Sequence, residues 1–303
     1  MDSEQPWNVR GKRVLVTGGN TGIGQATALE LVRRGADVTI TSRNPAKGEA
    51  ARLAISAAAN ESDAGTIEVR ELDLASFRSI DEFAERFIAD NPALHVLVHN
   101  AGLIQGERHE TEDGFGVTFG TNHLGTFRLN QRLEALVRAS APARIVVVAS
   151  AAHRRALKGL NFADLQSRQK YDAVQVYSDS KLANILFTRE LAKRLEGSGV
   201  TANCLHPGVV GSSFNSVGGH GGLWGFVFRW LKPLLLTPAK GARTSVYLCC
   251  ERSLASVNGG YFSRSSQTTP SRAARDDAAA KRLWEISEQL CGTPDEQVAS
   301  ARQ

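Results

Sequence analysis

The chain of 303 residues lacks any apolar run long enough to cross a bilayer. None of its hydrophobic stretches reaches the ~20 residues that a membrane-spanning helix needs. The amino-terminal stretch MDSEQPWNVRGKR also lacks the apolar centre of a secretory signal or membrane anchor. These absences predict a cytoplasmic protein without a transmembrane segment.

Clustered charge of one sign is also missing. The net charge is +5, and the basic residues are scattered along the chain. Because binding along a nucleic acid backbone needs a clustered basic face, we expect no nucleic acid partner. A slightly basic surface instead favours anionic cofactors or anionic membrane surfaces.

Cysteine is scarce and shows no metal-binding pattern. The cysteines are Cys204, Cys249, Cys250 and Cys291. None has the spacing of a metal ligand, so we expect buried thiols in a reducing compartment. His153 and His206 have no clustered Cys or carboxylate partner. We interpret them as structural or loop residues and predict no metal site.

What the sequence does contain is an alternation of short β-branched runs and helical segments. Hydrophobic residues make up 42% and charged residues 22%, as in globular proteins with a large core. Strands are predicted at 13–18, 36–43, 66–72, 95–102, 143–150 and 200–208. Helices are predicted at 24–34, 46–60, 76–89, 114–138 and 176–195. Apolar strands between helices predict an α/β fold with a doubly wound parallel sheet, three α/β/α layers and a single domain.

Two stretches interrupt this alternation. Residues 151–172 form a long polar insertion, and residues 208–238 are glycine-rich and then strongly aromatic. Insertions at the carboxyl ends of parallel strands are where open α/β sheets bind ligands. We therefore expect a cofactor-binding half at about 10–150 and a catalytic and substrate half at about 151–290.

A glycine-rich turn follows the first predicted strand. Gly18, Gly22 and Gly24 lie in VLVTGGNTGIG, where glycine lets the backbone turn tightly and approach a pyrophosphate at the helix N-terminus. The spacing Gly-x-x-x-Gly-x-Gly differs from the commoner Gly-x-Gly-x-x-Gly, and a purely structural turn is the alternative. The position of the turn favours a Rossmann-type dinucleotide site.

The end of the second strand indicates which dinucleotide is preferred. An acidic residue there would hold the adenosine ribose and repel a 2′-phosphate, but the sequence has TSRN. Arg43 can pair with the phosphate, with Ser42 and Asn44 as hydrogen-bond donors. The alternative is a surface arginine at a strand end. We expect NADP(H) rather than NAD(H).

A tyrosine and a lysine share one face of the last long predicted helix. Tyr177 stands four residues before Lys181 in VYSDSKLANILF, so their side chains lie one above the other. Taken alone, a solvated Tyr–Lys pair is the simpler interpretation.

The ordered set of motifs resembles the short-chain dehydrogenase/reductase family over most of the chain. The motifs are TGGNTGIG (17–24), LDL (72–74), HNAG (99–102), TNHLGTF (121–127), VVVASAAH (146–153), YSDSK (177–181) and HPG (206–208). The resemblance implies that a nicotinamide cofactor contacts Gly18, Asn20, Thr21, Gly22, Ile23, Gly24, Asp73, Leu74, Asn100, Ala101, Gly102, Tyr177, Lys181, Pro207, Gly208 and Val210.

The resemblance also gives the Tyr–Lys pair a catalytic role. An ammonium one turn from a phenol favours the phenolate, so we expect Lys181 to lower the pKa of Tyr177, the acid/base. Lys181 would also bind the nicotinamide ribose. Ser150 would polarise the substrate oxygen. By resemblance, Asn122 would order a water-linked proton path from Lys181.

Two departures from the family pattern are visible. His99 replaces the first Asn of Asn-Asn-Ala-Gly, which can alter a contact between sheet and helix. Gly114, Gly116, Gly120 and Gly125 fall in a predicted helix, where each glycine away from an end costs ~1 kcal/mol relative to alanine. Close packing of the helix is one explanation.

The insertion between Ser150 and Tyr177 and the stretch AARDDAAAKRLWEISEQLCG are similar to the retinol dehydrogenase-like branch. This resemblance implies reduction of retinal or another lipophilic aldehyde or ketone. The aromatic segment LWGFVFRWLKPLLL (223–236) is interpreted as core, as a lid over an apolar pocket, or as a shallow membrane contact. A peripheral membrane association and a homodimer remain open.

Three functions compete. The first is interconversion of a carbonyl and an alcohol on a bulky apolar substrate with NADP(H). The second is reduction of an activated carbon–carbon double bond by the same Tyr and Lys. The third is a non-catalytic NADP(H)-sensing module, which the intact Ser150, Tyr177 and Lys181 argue against.

Overall fold

One eight-stranded sheet organises the residues that the computed structural model describes, 7–208 and 236–292. The strands are β1 (Arg13–Val16), β2 (Asp37–Ser42), β3 (Ile67–Glu71), β4 (Val96–His99), β5 (Ala143–Val148), β6 (Val200–Leu205), β7 (Tyr261–Ser263) and β8 (Ser266–Gln267). Their spatial order is β3-β2-β1-β4-β5-β6-β7-β8, and only the β7–β8 pair is antiparallel. The connections reverse direction between β1 and β4, which is where such sheets bind ligands.

Helices cover both faces of this sheet. They are α1 (Gly22–Arg33), α2 (Pro45–Ala58), α3 (Phe77–Asp90), α4 (Val117–Phe119), α5 (Gly125–Ala139), α6 (Ala173–Arg194), α7 (Pro238–Cys250) and α8 (Asp277–Cys291). Side chains alternate across a strand, so Val14 and Val16 join one core cluster with residues of α1, α2 and α7. Leu15 joins the opposite cluster, with residues of α3, α5, α6 and α8. The predicted three-layer α/β fold is confirmed.

The predicted strands are all present but end earlier than expected. The strand predicted at 95–102 ends at His99, because the backbone N–H of Asn100 turns to donate to the hydroxyl of Thr17 at 2.9 Å. The apolar character of these segments continues into the loops that follow the strands, so composition alone did not show where each strand ends. The three-residue strand β7 and two-residue strand β8 were not predicted, because they are too short for a pattern.

The helix predicted at 114–138 is wrong at its start. Gly114 has φ +80°, outside helical geometry, and α4 begins only at Val117. A π-helical turn, Gly120–Leu124, then separates α4 from α5. At the first residue of α5, Gly125, a Cβ atom would lie 2.1 Å from the carbonyl oxygen of Leu74. Glycine here allows the helix to pack directly against the backbone that follows β3.

Trp7 packs at the amino ends of the strands. Its indole N–H donates to the carbonyl of Cys249 at 2.8 Å, and its ring lies 4.2 Å from the buried guanidinium of Arg144 near the start of β5. Burial lowers the pKa of Arg144 to about 10. The contact joins the first described residues to α7, far along the chain.

The cysteines agree with the expectation of buried thiols. Cys204, Cys249 and Cys291 are buried and Cys250 is half-buried, and all four are free. No helix within the described ranges has the length and apolar character needed to cross a bilayer. The predictions for Val210 and for nearly all of 223–236 lie outside the described residues.

Candidate active site

A cavity of about 550 Å³ opens at the carboxyl ends of β1, β4 and β5. Within the described ranges, every residue that the sequence predicted to contact a cofactor lines it. These are Gly18, Asn20, Thr21, Gly22, Ile23, Gly24, Ser42, Arg43, Asn44, Asp73, Leu74, Asn100, Ala101, Gly102, Tyr177, Lys181, Pro207 and Gly208. Ser150 also lines the cavity, whereas Asn122 does not.

The glycine turn has the shape that a pyrophosphate requires. Gly18 and Gly22 adopt φ +63° and +57°, and a Cβ on Gly24 would lie 2.4 Å from Nδ2 of Asn100. That Asn100 amide donates to the carbonyls of Thr17 and Gly18, at 2.7 and 3.2 Å, which holds the turn in place. Thr21, just before α1, makes no side-chain capping bond to the helix, so the N–H groups at its start face the cavity uncapped by that side chain. The residues present therefore fit a dinucleotide phosphate.

Two cations stand at the end of the cavity next to β2. Arg43 is exposed and forms no ion pair among the described residues. Lys47 in the first turn of α2 lines the same end. Lys47 was not predicted, although its position four residues after Arg43, at the start of a helix, could have indicated it.

The neighbours of Arg43 have other partners. The hydroxyl of Ser42 donates to the carbonyl of Asn44 at 2.8 Å. The side-chain oxygen of Asn44 accepts from the backbone N–H of Lys47 at 2.9 Å and caps α2. These bonds shape the turn that presents Arg43, so Ser42 is less available as a phosphate donor than expected.

The end of the cavity next to β3 is shaped by Asp73. One carboxylate oxygen accepts from the backbone N–H of Ala75 at 2.9 Å, and the backbone N–H of Asp73 donates to the hydroxyl of Ser79 at 3.0 Å. The side chain is therefore held in the tight turn between β3 and α3. Leu74 is buried in the same turn, beneath α5.

Tyr177, Ser150 and Lys181 converge inside the cavity. The hydroxyls of Tyr177 and Ser150 are hydrogen-bonded to each other. Ser150 follows β5, and its Oγ also accepts from the backbone N–H of Ala152 at 3.1 Å. The ammonium of Lys181 lies 5.7 Å from the centre of the Tyr177 ring and donates to the carbonyl of Val148 at 3.1 Å. Two helical residues and the end of one strand therefore form a compact polar group.

The pKa of Tyr177 departs from the expectation. Burial raises this pKa, and the hydrogen bond from Ser150 lowers it only in part. Burial also lowers the pKa of Lys181 to about 8. The expected lowering of the Tyr177 pKa by Lys181 is absent, because the ammonium is directed at the Val148 carbonyl and both groups are desolvated. The phenol therefore keeps its proton at neutral pH in this structure.

Asn122 lies behind the cavity wall, in the π-helical turn. Its Nδ2 donates to the carbonyl of Leu103 at 2.8 Å and to the hydroxyl of Ser180 at 3.0 Å. Its Oδ1 accepts from the backbone N–H of Leu103 at 2.8 Å. The amide therefore joins the loop after β4 to Ser180 of α6. Ser180 lies three residues after Tyr177. π-Helical turns inside α-helices frequently occur at functional sites.

The departure at His99 is accommodated inside the fold. His99 is buried, its Nε2 lies 3.5 Å from Oδ1 of Asn130 on α5, and burial lowers its pKa to about 4. Asn100 and Gly102 keep their places in the cavity wall. No group of three or more His, Cys, Asp or Glu side chains in 7–208 and 236–292 is arranged to hold a metal ion.

Comparisons with known proteins agree with this geometry. A family model described as short chain dehydrogenase matches residues 12–218. Retinol dehydrogenase 14 from Homo sapiens is 43% identical over 305 residues, which cover 95% of this chain and 88% of the relative.

Two solved structures extend the comparison. The crystal structure of an uncharacterized protein from Mycobacterium paratuberculosis is 34% identical with a TM-score of 0.73, covering 95% of this chain and 98% of that one. A structure from Beutenbergia cavernae, described as an NAD(P) dependent gluconate 5-dehydrogenase with NADP bound at low occupancy, is 25% identical with a TM-score of 0.66. It covers 86% of this chain and 97% of its own.

Proposed function

The chain belongs to the short-chain dehydrogenase family, and from that premise we propose that it is an NADP(H)-dependent oxidoreductase that interconverts a carbonyl and an alcohol on a bulky apolar substrate. The observation that carries the proposal is the hydrogen bond between Tyr177 and Ser150, with Lys181 one helical turn away, inside a cavity lined by the glycine turn. A dinucleotide-sensing module would not need this arrangement of a proton donor.

The chain's own residues supply the proton chemistry. NADPH, when bound, supplies the hydride for the carbonyl carbon. The hydroxyl of Ser150 donates a hydrogen bond to the carbonyl oxygen and stabilises the negative charge that develops there. Tyr177 transfers its phenolic proton to that oxygen, and its raised pKa keeps the proton in place until then. Lys181 stabilises the phenolate that this transfer leaves behind.

The preference for NADP(H) follows from the cations at the end of β2. Arg43 and Lys47 lie where a 2′-phosphate would reach, and β2 ends in Ser42 rather than in an acidic residue. A guanidinium can bind two phosphate oxygens at once, and an ammonium adds a second charge. The similarity to a structure that holds NADP supports the same preference.

The substrate class is proposed from similarity and composition. The chain is similar to retinol dehydrogenase 14 over most of both sequences, so a lipophilic aldehyde or ketone of retinal's size is the proposed substrate. The apolar segment 223–236 follows the Pro207–Gly208 wall of the cavity in sequence. Its aromatic and aliphatic composition supports apolar molecules as the substrate class.

The experiment is NADPH oxidation with a panel of aldehydes, ketones and enones that includes all-trans-retinal and decanal, repeated with NADH. Turnover of saturated aldehydes supports carbonyl reduction, turnover of enones to saturated ketones supports double-bond reduction, and NADPH binding with no turnover of any compound supports a sensing role.

The matched variants are Tyr177→Phe and Tyr247→Phe. Removing the Tyr177 hydroxyl should lower kcat by about 10²–10⁴, the usual contribution of general acid catalysis, while NADPH still binds. Tyr247 lies on α7 outside the cavity, so its variant should keep the parent kcat. Full activity of Tyr177→Phe would reject the proposed mechanism.

A further inference from the structure

His153 is fully buried directly behind Ser150, and both of its ring nitrogens have partners. Nδ1 lies 2.7 Å from the carbonyl oxygen of Ser150. The backbone N–H of Ser271 donates to Nε2 at 3.1 Å. Because a carbonyl only accepts and a backbone N–H only donates, the ring must be neutral with its proton on Nδ1.

This requirement is specific to histidine. An apolar side chain of the same size would fill the space but remove both ring bonds. The Ser150 carbonyl would still accept from the backbone N–H of His153 at 3.2 Å, whereas the Ser271 N–H would lose its side-chain acceptor. Each lost bond has a cost, so the two ring bonds fix the ring and the backbone on either side of it. The Ser150 carbonyl belongs to the residue whose hydroxyl contacts Tyr177.

The ring also joins two walls of the cavity. His153 packs edge-on against Tyr261 of β7, with ring centres 5.2 Å apart. Tyr261 also stacks on His206, with ring centres 5.9 Å apart, and Nδ1 of His206 accepts from the backbone N–H of Gly208 at 3.2 Å. Ser150 and Gly208, on separate loops of the cavity, are therefore held against one aromatic stack.

We propose that His153 is a positioning residue for Ser150: it holds the Ser150 carbonyl against the Ser271 backbone and thereby sets the direction of the Ser150 hydroxyl toward Tyr177. This inference rests on the proposed function, because it assigns His153 a role through Ser150. His153 does not line the cavity, and the sequence pattern indicated only a structural or loop residue at this position.

Three substitutions test the two hydrogen bonds of the His153 ring, each alone and both together. In His153→Asn, the amide nitrogen occupies nearly the place of Nδ1 and can still donate to the Ser150 carbonyl. In His153→Gln, the longer side chain reaches the Ser271 side instead. His153→Phe keeps an aromatic ring, although a slightly larger one, and removes both bonds.

The measurements are kcat with the best aldehyde of the panel, the Kd for NADPH and the melting temperature. We expect His153→Phe and His153→Gln to lower kcat by about tenfold to a hundredfold, because misplacing a reacting group by ~1 Å can cost about a hundredfold. The Kd for NADPH should stay near that of the parent. His153→Asn should recover most of the parent kcat.

The controls distinguish this inference from the proposed function. His95→Phe removes another histidine that bonds the backbone, at the opposite edge of the sheet, and should change the melting temperature without changing kcat. If Tyr177→Phe is inactive but His153→Asn and His153→Gln have equal kcat values, the positioning role is overturned and the function stands. If the His153 variants lose NADPH affinity to the same extent as they lose kcat, the role of His153 is purely structural. Full activity of Tyr177→Phe would instead remove the function on which the inference rests.

Discussion

Lys181 shows how burial changes the chemistry of a single side chain. Its ammonium is buried, donates to the Val148 carbonyl and has its pKa lowered from 10.5 to about 8. Desolvation disfavours the charged form, so the folded protein holds this proton less tightly than the unfolded chain does. A sequence pattern gives the neighbours of a side chain along a helix, but it does not give the depth at which that side chain lies.

This lowered pKa predicts a pH dependence of stability. Between about pH 8 and pH 10.5 the unfolded chain binds more protons at Lys181 than the folded protein does, so the free energy of unfolding rises with pH. At about 1.4 kcal/mol for each pH unit, the rise from this group is at most about 3.5 kcal/mol. The raised pKa values of the cysteine thiols act in the opposite direction, but they act in the parent and in Lys181→Met alike. The difference in free energy of unfolding between the parent and Lys181→Met should therefore shift in favour of the parent between pH 8 and pH 10, as measured by urea unfolding. A difference that stays constant with pH would contradict the prediction.

We also expect cofactor choice to depend on single side chains. Removing Arg43 should weaken NADPH binding by roughly one to two powers of ten, because a charge-assisted contact contributes ~1.5–3 kcal/mol. NADH binding should change little. Lys47→Ala should give a smaller loss in the same direction, since the ammonium makes a less directional contact.

The matched control for this prediction is Arg52→Ala. Arg52 lies on α2 like Lys47 but pairs with Glu49 and does not line the cavity. Titrations of NADPH and NADH against the three variants would test the prediction. Equal losses of NADPH and NADH affinity in Arg43→Ala would mean that Arg43 supports the fold and does not bind the 2′-phosphate.

At the scale of elements, the π-helical turn that carries Asn122 is held by α8. His123 in this turn is buried, and its pKa is lowered to about 3, so the ring is neutral. The Ser287 hydroxyl donates to the carbonyl of Leu283 at 2.7 Å, so its oxygen accepts from Nε2 of His123 at 2.8 Å. The thiol of Cys291 lies 3.7 Å from the carbonyl of Leu124, at the end of the same turn.

Ser287→Ala should therefore affect both stability and catalysis. The buried His123 N–H would lose its partner, at a cost of ~1–3 kcal/mol, and the turn carrying Asn122 would lose a support. We expect a lower melting temperature together with a lower kcat. The control is Ser140→Ala, which breaks a similar pair of bonds, to Leu136 and Leu94, at the amino edge of the sheet. Equal kcat values in the two variants would contradict a link between α8 and the site.

The elements themselves were predictable where their pattern is local. Strands β1 to β6 each have an apolar run, and the helices between them show a periodic face. The π-helical turn was not predictable, because it depends on contacts with α8, whose Ser287 lies 164 residues after His123. Gly125 looked unfavourable in a helix when only the sequence was considered. The structure gives the reason for it, because a side chain at this position would collide with the carbonyl of Leu74.

At the scale of the whole molecule, the Trp7 contact and the cavity lie at opposite ends of the strands. Trp7 and Arg144 close the amino edge, whereas the cavity and its polar group lie at the carboxyl edge. Parallel strands produce this separation, because all their carboxyl ends face the same way. For the same reason, motifs scattered over most of the chain could be predicted to meet in one place.

The predicted cofactor residues in the described ranges do line one cavity, since each belongs to a motif at the end of a strand or, for Tyr177 and Lys181, on α6. Lys47 and the role of His153 escaped prediction, because their partners come from turns and from the distant residue Ser271. The direction of the Tyr177 pKa was also wrong, since it depends on burial. The roles of these residues in catalysis remain proposals for the experiments above.

The dependence of the π-helical turn on α8 has a consequence for how the protein is made. A ribosome releases the glycine turn, Asn122 and Tyr177 long before it reaches Ser287. Domains generally fold as units, and Leu283 and Trp284 of α8 belong to the same core cluster as Leu15 of β1, so the earlier segments have to wait for α8 before this core is complete. A chain cut short before residue 277 would lack both the Ser287 bond to the turn and this part of the core, and we expect neither a stable fold nor activity from it.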